Sequence, residues 1–596
     1  MQSTARGEGR RLAARHRNIE LGLLALAVAV CLAGHIDASL ALTGELPSGL
    51  LVHGLSLGAL VAVAHLAVRR FAPFADPLIL PLGVFLTGFG LMLLDRLDFS
   101  YKAAHPGKGD YQKLPAAPSQ MMWVFISVTA AIALIVFVKH HRFFQRYVYL
   151  MMAGALVLLT APVFSPTDSF GAKRWIKLPG LPSFEPDEFV KVAITIFFAG
   201  YLMANRDALA LAGRKVWGMT LPRGRHAGPV LAIWAVSLLV LIFERDLGTS
   251  LIFFGLFIVM LYVATERTSW VVLGLLMAVG GATVVGTLEP HVHGRVEAWL
   301  HPLDYYKPVH DPAISEQPAE ALFSLGTGHL TGTGLGSGRP WLIGFAGRSD
   351  FIFTTIGEEL GLAGVTAVLL VYVLLIQRGL RTAIGLTDPF GKLLAAGLSA
   401  ALALQIFVVV GGVSGLVPLT GKALPFLAAG GSSLLANWLM VALLIKLSDS
   451  SGRTALDPVQ PTPEPLPAQA GPGDRSAAAD PSSPSPSQGR GRGRGQGQGP
   501  NPGPNQAPGP GPDRSPSPGQ TLGGAGRPLA PGSDPTALTS AGPGLADPGA
   551  ATELRPAFGQ APVAPQASYG YPPVNEQQTH GYGLPPQSPF PSNPSA

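Results

Sequence analysis

The sequence predicts an all-α polytopic integral membrane protein with about twelve transmembrane helices, followed by a long disordered C-terminal tail. Of the 596 residues, 48% are hydrophobic and 13% are charged, which is about half the charged fraction of a soluble domain. Residues 1–450 contain the apolar runs, whereas residues 451–596 are mostly Pro, Gly, Ala, Ser and Gln. The mean hydropathy of the whole chain is still +0.34. Apolar spans and a polar tail explain these observations together.

Composition excludes several classes of function. The density of apolar runs excludes a purely soluble enzyme. A disulfide scaffold is excluded because Cys31 is the only cysteine and has no partner in the chain. The net charge of +6 does not predict nucleic-acid binding, because most lysines and arginines lie in short loops between apolar runs, where the positive-inside rule places them.

Candidate spans were identified from the length that a bilayer requires, about 20 mostly apolar residues. The first follows a basic N-terminal segment, residues 1–18, and lacks a small-residue cleavage signature, so we expect it to remain uncleaved. The sixth and seventh are short. The twelve candidates cover approximately 19–38, 50–68, 77–95, 121–139, 146–163, 188–203, 229–243, 247–264, 270–287, 352–376, 391–411 and 425–446.

The basic residues also predict the orientation. With the N-terminus in the cytoplasm, the even-numbered loops are cytoplasmic, and these loops are rich in Lys and Arg, whereas the first external loop, 39–49, has neither. An even number of spans returns the C-terminus to the cytoplasm. The transmembrane domain, 19–450, then has one large extracytoplasmic loop, 288–351. The cytoplasmic basic residues are Arg69, Arg70, Lys139, Arg142, Arg206, Arg214, Lys215, Arg223, Arg225, Arg267, Arg378 and Arg381.

The tail, residues 451–596, is predicted to be disordered and cytoplasmic. Its Pro/Gly-rich composition cannot bury enough apolar surface to offset the entropy of ordering. Arg490, Arg492 and Arg494 alternate with glycine, a pattern found in some RNA-binding segments. Three arginines are a weak signal, and a solvated linker or a partner-docking tail is the preferred interpretation.

Ionisable residues near the spans are informative because they are costly in lipid. Glu188 and Lys191, at the start of the sixth span, are three residues apart and share a helix face. With Arg174 they indicate either an interfacial salt bridge or a cationic site for an anionic head group, in which Arg174 would make forked phosphate contacts. Asp246 is either the N-cap of the eighth span or a site residue.

The large external loop contains several carboxylates that are candidates for a general base. Its glycine-rich stretch, 326–338, does not fit a nucleotide-binding loop because no strand precedes it, and we expect tight turns there. The acidic residues of the loop include Asp304, Asp311, Glu316 and Glu320. The alternative for each is an ordinary solvated carboxylate.

Two further motifs lie at the starts of the tenth and twelfth spans. Glu358 and Glu359 open the tenth, where carboxylates suit the helix dipole. The segment from Gly430 to Ser433, which includes Ser432, precedes Asn437 and has the small residues that allow close helix packing in a bilayer.

Taken in order, these motifs resemble the RodA/FtsW/SpoVE (shape, elongation, division and sporulation) family, and most closely its RodA-like branch in high-GC Gram-positive bacteria. The resemblance covers approximately 75–450. The matching segments are Gly171 to Trp175, Pro186 to Lys191, Asp246 to Thr249, Phe323 to Gly336, Asp350 to Gly361 and Pro425 to Asn437.

The resemblance implies a peptidoglycan glycosyltransferase that polymerises lipid II, an undecaprenyl-linked substrate, at the outer face of the cytoplasmic membrane. The family's proposed catalytic base, an Asp usually followed by Pro, matches Asp311, and Asp304 is the second choice. Arg174, Glu188, Lys191, Asp246, Glu358, Glu359 and Ser432 are the implied substrate-binding residues. The implied partner is a class B penicillin-binding protein, a transpeptidase. No cofactor is firmly implied, and a divalent cation is the one candidate.

Departures from the family pattern keep two other functions open. The usual Gln-Pro-Ser-Glu is replaced by Glu185-Pro186-Asp187-Glu188, and the usual Tyr-Gln pair by Glu316-Gln317. A lipid II flippase or a non-catalytic scaffold for a transpeptidase therefore remains an alternative. Polar motifs at the external ends of the spans favour chemistry at the membrane surface over transport through the midplane.

Overall fold

The computed structural model describes residues 2–456, apart from residue 48 and gaps at 105–115, 165–174, 177–183, 211, 217–218, 223–245 (except 235, 236 and 239) and 305–315. Helices dominate this part of the chain. In order the elements are α1 (Gln2–Thr43), α2 (Leu50–Phe71), α3 (Ile79–Ala104), α4 (Ala116–Phe137), α5 (Arg142–Arg146), α6 (Val148–Thr160), a 3₁₀ turn (Ala161–Phe164), α7 (Asp187–Ala210), β1 (Ala212–Val216), β2 (Met219–Pro222), α8 (Leu247–Thr265), α9 (Thr268–Leu288), α10 (Pro290–Leu300), α11 (Gln317–Thr327), a 3₁₀ segment (Pro340–Arg348), α12 (Ile352–Gly385), α13 (Pro389–Val413) and α14 (Gly431–Leu456).

The predicted polytopic helical architecture is confirmed. Among the described residues, nine helices are long and apolar enough to cross a membrane. The fifth and sixth predicted spans correspond to the shorter α6 and to α7. The seventh, 229–243, lies almost entirely outside the described residues. One small addition to the all-helical prediction is the antiparallel pair β1 and β2, in which Val216 is opposite Met219. Both strands lie between predicted spans, where hydropathy carried no information about local structure.

Two of the predicted segment boundaries fall inside helices. α1 is continuous from Gln2, so the basic N-terminal segment is part of the first helix, and Arg17 is 1% exposed. Arg17 pairs with Glu20, whose Oε1 lies 2.8 Å from Nδ1 of His65 in α2. The last helix runs to Leu456, past the predicted boundary at 450. The N-terminal difference arises because Arg17 and Glu20 are paired and buried inside the bundle, which a hydropathy profile cannot show.

Close packing of α4 against α14 depends on a small residue. A Cβ atom on Gly431 would lie 2.0 Å from Cε2 of Trp123, so only glycine admits the indole at the start of α14. This agrees with the packing role predicted for the small residues before Asn437. By contrast, α9 is apolar on its exposed face, with Leu275 and Leu276 66% and 67% exposed, as expected of a lipid-facing helix.

Candidate functional site

One end of the bundle collects most of the predicted site residues. The starts of α7, α8 and α14 meet there with α13 and the segment between α13 and α14, as contacts between their side chains show. The polar side chains at this end are buried rather than displayed: Glu188, Lys191 and Asp246 are 3%, 2% and 1% exposed. Burial of charge is costly unless it is paired and hydrogen-bonded, so their partners determine what the site can do.

The first group of partners surrounds Lys191 in α7. Its Nζ donates to Oε2 of Glu188 at 2.7 Å and to Oδ1 of Asn437 at 3.3 Å, and it also contacts Oε1 of Gln405. The amide Nε2 of Gln405 donates to the other carboxylate oxygen of Glu188 at 3.1 Å. The predicted Glu188–Lys191 pair on one helix face is therefore confirmed. The network connects α7, α13 and α14 at the buried end of the bundle.

The second group surrounds Asp246 and a lysine that sequence analysis missed. Asp246 caps α8 by accepting from the backbone N–H of Thr249 at 3.0 Å, as its position before the apolar run predicted. Its Oδ2 lies 2.9 Å from Nζ of Lys422, which also lies 3.2 Å from Oε1 of Glu185. Ser432 accepts from the backbone N–H of Glu185 at 3.0 Å. The predicted residues Asp246 and Ser432 thus flank the start of α7 from two sides.

Glu358 and Glu359 hold the glycine-rich stretch, 326–338, in place. Glu358 accepts from the backbone N–H of Arg339 at 2.7 Å and from the hydroxyl of Ser324 at 3.1 Å. Glu359 accepts from the backbone N–H of Gly338 at 3.1 Å and pairs with buried Arg96 of α3. In the described chain both carboxylates are engaged with protein donors. The pair therefore supports the loop next to the site.

The glycine-rich stretch makes the tight turns that its composition predicted. Gly332 has φ of +83°, a conformation that suits glycine. A Cβ atom there would lie 2.1 Å from the carbonyl oxygen of Glu359, so the loop and the start of α12 could not approach with any other residue. α12 itself is interrupted at Gly361, with φ of +64°, two residues after Glu359.

Several charged residues of the site were missed from the sequence. Arg96 donates to the carbonyl of Gly338 at 2.9 Å, and Arg348 pairs with Asp98 at 2.9 Å. Arg348 also stacks 4.7 Å above the ring of Tyr101, a cation–π arrangement. The sequence feature that could have identified them is a charged residue at the end of an apolar run, as at Arg96 and Lys422. Such residues are rare in membrane helices unless they are paired.

Of the two candidate bases, only Asp304 lies among the described residues. Asp304 is described: its side chain is 78% exposed and lies 3.7 Å from Nδ1 of His301. Asp311 and Arg174 lie outside the described residues, so their roles stay predictions.

Glu320, in α11, is a third carboxyl group of the loop with unusual properties. Partial burial, with a smaller contribution from the nearby carboxylate of Glu316, raises its pKa from 4.5 to about 7. A carboxyl group with a pKa near the working pH is suited to proton transfer. Glu320 is therefore a further candidate for the general base, after Asp311 and Asp304.

The raised pKa of Glu320 predicts a pH dependence of stability. The unfolded state releases this proton near pH 4.5 and the folded state near pH 7, so the free energy of unfolding should decrease as the pH rises through that interval. Glu320→Gln should flatten the decrease in thermal melts of the detergent-solubilised protein, whereas Glu45→Gln, at an exposed position, should not. Parallel curves for Glu320→Gln and wild type would contradict the prediction.

A metal site is not assembled in the described part of the chain, where no group of three or more His, Cys, Asp or Glu side chains is arranged to hold an ion. The densest acidic group, Glu185, Asp187 and Asp246, converges on the ammonium of Lys422. A divalent cation thus stays a prediction, with its ligands outside these residues or supplied by the substrate.

Comparison with known proteins gives close relatives. Peptidoglycan glycosyltransferase RodA of Mycobacterium tuberculosis is 44% identical over 383 residues, which cover 64% of this chain and 79% of the relative. The protein of the same name from Mycobacterium leprae is 42% identical over 379 residues, with the same two coverages. A probable peptidoglycan glycosyltransferase FtsW of Geobacter sp. strain M18 is 30% identical over 325 residues, which cover 54% of this chain and 82% of the relative.

A solved structure and a family sequence model also match this chain. A crystal structure of a mutant of the rod shape determining protein RodA of Thermus thermophilus matches with 20% identity and a TM-score of 0.43, covering 63% of this chain and 97% of that one. The sequence model of the FtsW/RodA/SpoVE family, described as cell cycle proteins, matches residues 78–452. This match includes every motif on which the resemblance was based. The chain belongs to the FtsW/RodA/SpoVE family.

Proposed function

We propose that this protein is a peptidoglycan glycosyltransferase that polymerises lipid II at the outer face of the cytoplasmic membrane. The observation that carries the proposal is the match to a relative named peptidoglycan glycosyltransferase RodA. This chain is 44% identical to that relative over 79% of the relative's length. The buried polar networks at one end of the helical bundle support it, because they can hold a reaction site at the membrane surface. Multiple apolar helices and family membership make the chain a multi-pass protein of the plasma membrane.

The proposed reaction is one glycosyl transfer. The 4-hydroxyl oxygen of the acceptor sugar attacks the anomeric carbon of the donor, and the bond from that carbon to the pyrophosphate oxygen breaks. The carboxylate of Asp311 accepts the hydroxyl proton, and undecaprenyl pyrophosphate leaves. A base near the acceptor hydroxyl accelerates such a step. Asp311 is assigned this role by its match to the family's Asp-Pro.

Charge on the leaving pyrophosphate requires neutralisation more than protonation. In the described chain the ammonium groups of Lys191 and Lys422 are already surrounded by protein oxygens. We therefore assign neutralisation to Arg174, whose guanidinium can make forked phosphate contacts, or to a divalent cation acting as a Lewis acid. Glu188 and Lys191 then order the substrate site by holding α7, α13 and α14 together.

Orientation and partner belong to the same proposal. The basic residues of the even-numbered loops support cytoplasmic N- and C-termini, which places the loop with Asp311 and the starts of α7, α8 and α12 outside. A class B penicillin-binding protein is the proposed partner, since glycan strands need a transpeptidase to become cross-linked. The resemblance to the family supports this partner.

The test is to supply labelled lipid II to the purified full-length protein in detergent and in liposomes, with and without a class B penicillin-binding protein. The proposal predicts glycan strands, resolved by gel electrophoresis and digested by a muramidase. Lipid II that crosses the liposome membrane without polymerising would establish a transporter instead. Absence of both activities with the partner supplied would favour the scaffold.

The tail should be dispensable for this reaction. Removing residues 457–596, directly after the end of α14 at Leu456, should leave membrane insertion and polymerisation unchanged, because a segment of that composition adds no packed core. The measurement is polymerisation of lipid II by equal amounts of purified full-length and truncated protein. Loss of catalysis in the truncated protein would contradict the prediction, while an altered cellular location would not.

A further inference from the structure

Lys422 occupies an unusual position in the segment between α13 and α14. It is 2% exposed, and its ammonium lies 3.2 Å from Oε1 of Glu185 and 2.9 Å from Oδ2 of Asp246, and contacts Oδ2 of Asp187. These three carboxylates come from two separate stretches of the chain, the start of α7 and the N-cap of α8. One cation thus connects two stretches of the chain that each lie more than 170 residues before it in sequence.

Thr249 and Gly248 determine how the side chain of Lys422 packs against the carboxylates. The hydroxyl of Thr249 lies 2.9 Å from Oδ2 of both Asp187 and Asp246, which fixes the two carboxylates side by side. A Cβ atom on Gly248 would lie 2.6 Å from Cγ of Lys422. The side chain therefore reaches the carboxylates along a path that glycine at 248 keeps open.

The ammonium of Lys422 lies among carboxylates. Three carboxylates approach it, and Oδ1 of Asp187 is buried without a hydrogen bond from any described residue. The cluster adjoins the Glu188–Lys191 network through the first turn of α7. Removing Lys422 would take one positive charge away from these buried carboxylates, and the added negative charge is expensive when buried and repels any anion nearby.

We infer that Lys422 is a positioning residue of the glycosyl transfer: it offsets part of the negative charge of Glu185 and Asp187 at the start of α7, and so keeps that end of the bundle ordered and lowers its repulsion of an anionic substrate. The inference rests on the proposed function. Lys422 acts through the carboxylates and does not touch the reacting atoms. Its role also accounts for the acidic residues Glu185 and Asp187, which stand where the family pattern has Gln and Ser.

The test compares steady-state polymerisation of lipid II by purified wild type, Lys422→Met and the double variant Asp187→Asn/Lys422→Met. The single variant removes the positive charge, whereas the double variant removes one charge of each sign and keeps the net charge of the cluster. We expect the KM for lipid II to rise about tenfold in Lys422→Met, because one added negative charge repels the substrate's pyrophosphate at an effective dielectric constant of about 20. The double variant should return most of the way to the wild-type KM.

Lys392→Met is the matched control. Lys392 is exposed near the start of α13, about 20 Å along the helix from Gln405 at 1.5 Å per residue, and its loss should change neither constant. A lower kcat with an unchanged KM in Lys422→Met would overturn the inference, because that result indicates only a smaller folded fraction. Equal impairment of the single and double variants would overturn it as well.

A second pair of variants keeps the test decisive if Lys422→Met does not fold. Gly248→Ala should displace the Lys422 side chain and raise the KM, whereas Gly280→Ala, at a helical position with open space around it, should leave the KM unchanged. Identical kinetics for the two glycine variants would contradict the inference. An inactive wild type would instead count against the proposed function, which separates the two failures.

Discussion

Polymerisation of lipid II by Asp311→Asn should fall about 10²–10⁴-fold, the usual cost of losing a general base. Asparagine is nearly isosteric with aspartate but cannot accept a proton at neutral pH. The sequence predicts that position 311 belongs to a loop outside the apolar spans, so expression and thermal stability should stay close to those of wild type. The measurement is the polymerisation rate of purified protein at matched concentration, with melting followed in the same preparation.

Asp304→Asn is the control for this prediction. The side chain of Asp304 is 78% exposed, as expected of a solvated carboxylate, and its amide variant should retain most of the activity. The reverse result, with Asp304→Asn inactive and Asp311→Asn active, would assign the base to Asp304. If both variants stayed active, Glu320 would be the next candidate, because its pKa is raised to about 7.

Lys191→Met should be the most destabilising substitution at the candidate site. It leaves the carboxylate of Glu188, 3% exposed, without the ammonium that lies 2.7 Å away. Removing one member of a buried ion pair costs about 3–5 kcal/mol, because the remaining charge stays buried without compensation. We expect a large drop in melting temperature in detergent and loss of polymerisation.

The double variant Glu188→Gln/Lys191→Met separates charge burial from packing. It removes both charges together, so it should be more stable than Lys191→Met alone, and the coupling energy follows from a double-mutant cycle. Lys102→Met, at an exposed position in the last turn of α3, serves as the control. If the double variant were as unstable as the sum of its single variants, the pair would not be coupled and this account of α7 would be wrong.

Much of the fold and part of the site follow from local sequence patterns. Apolar runs of bilayer length predicted the long helices because each such run must satisfy its own backbone hydrogen bonds in lipid. The spacing of Glu188 and Lys191 predicted their pairing, and the place of Asp246 before an apolar run predicted its N-cap, since both interactions depend only on helix geometry. These contacts lie within one turn of chain.

Contacts between residues that are distant in sequence could not be predicted from local patterns. Lys422 meets Asp187 across 235 positions of sequence, and Arg96 meets Gly338 across 242. Nothing in the local pattern of either partner indicates the other, because the match arises from how the helices pack. The role of Glu359 was uncertain for the same reason: its Oε1 contacts the backbone N–H of Gly338 in the glycine-rich stretch and Arg96 of α3, both distant in sequence.

Release of undecaprenyl pyrophosphate during polymerisation tests the central claim most directly. Purified full-length protein, given lipid II with separate labels on sugar and lipid and no other glycosyltransferase, should release one undecaprenyl pyrophosphate for each glycosidic bond formed. Asp311→Asn should lose both products in the same proportion. Lipid II that remains intact while wild type and a class B penicillin-binding protein are both present would contradict the claim that this chain catalyses glycosyl transfer.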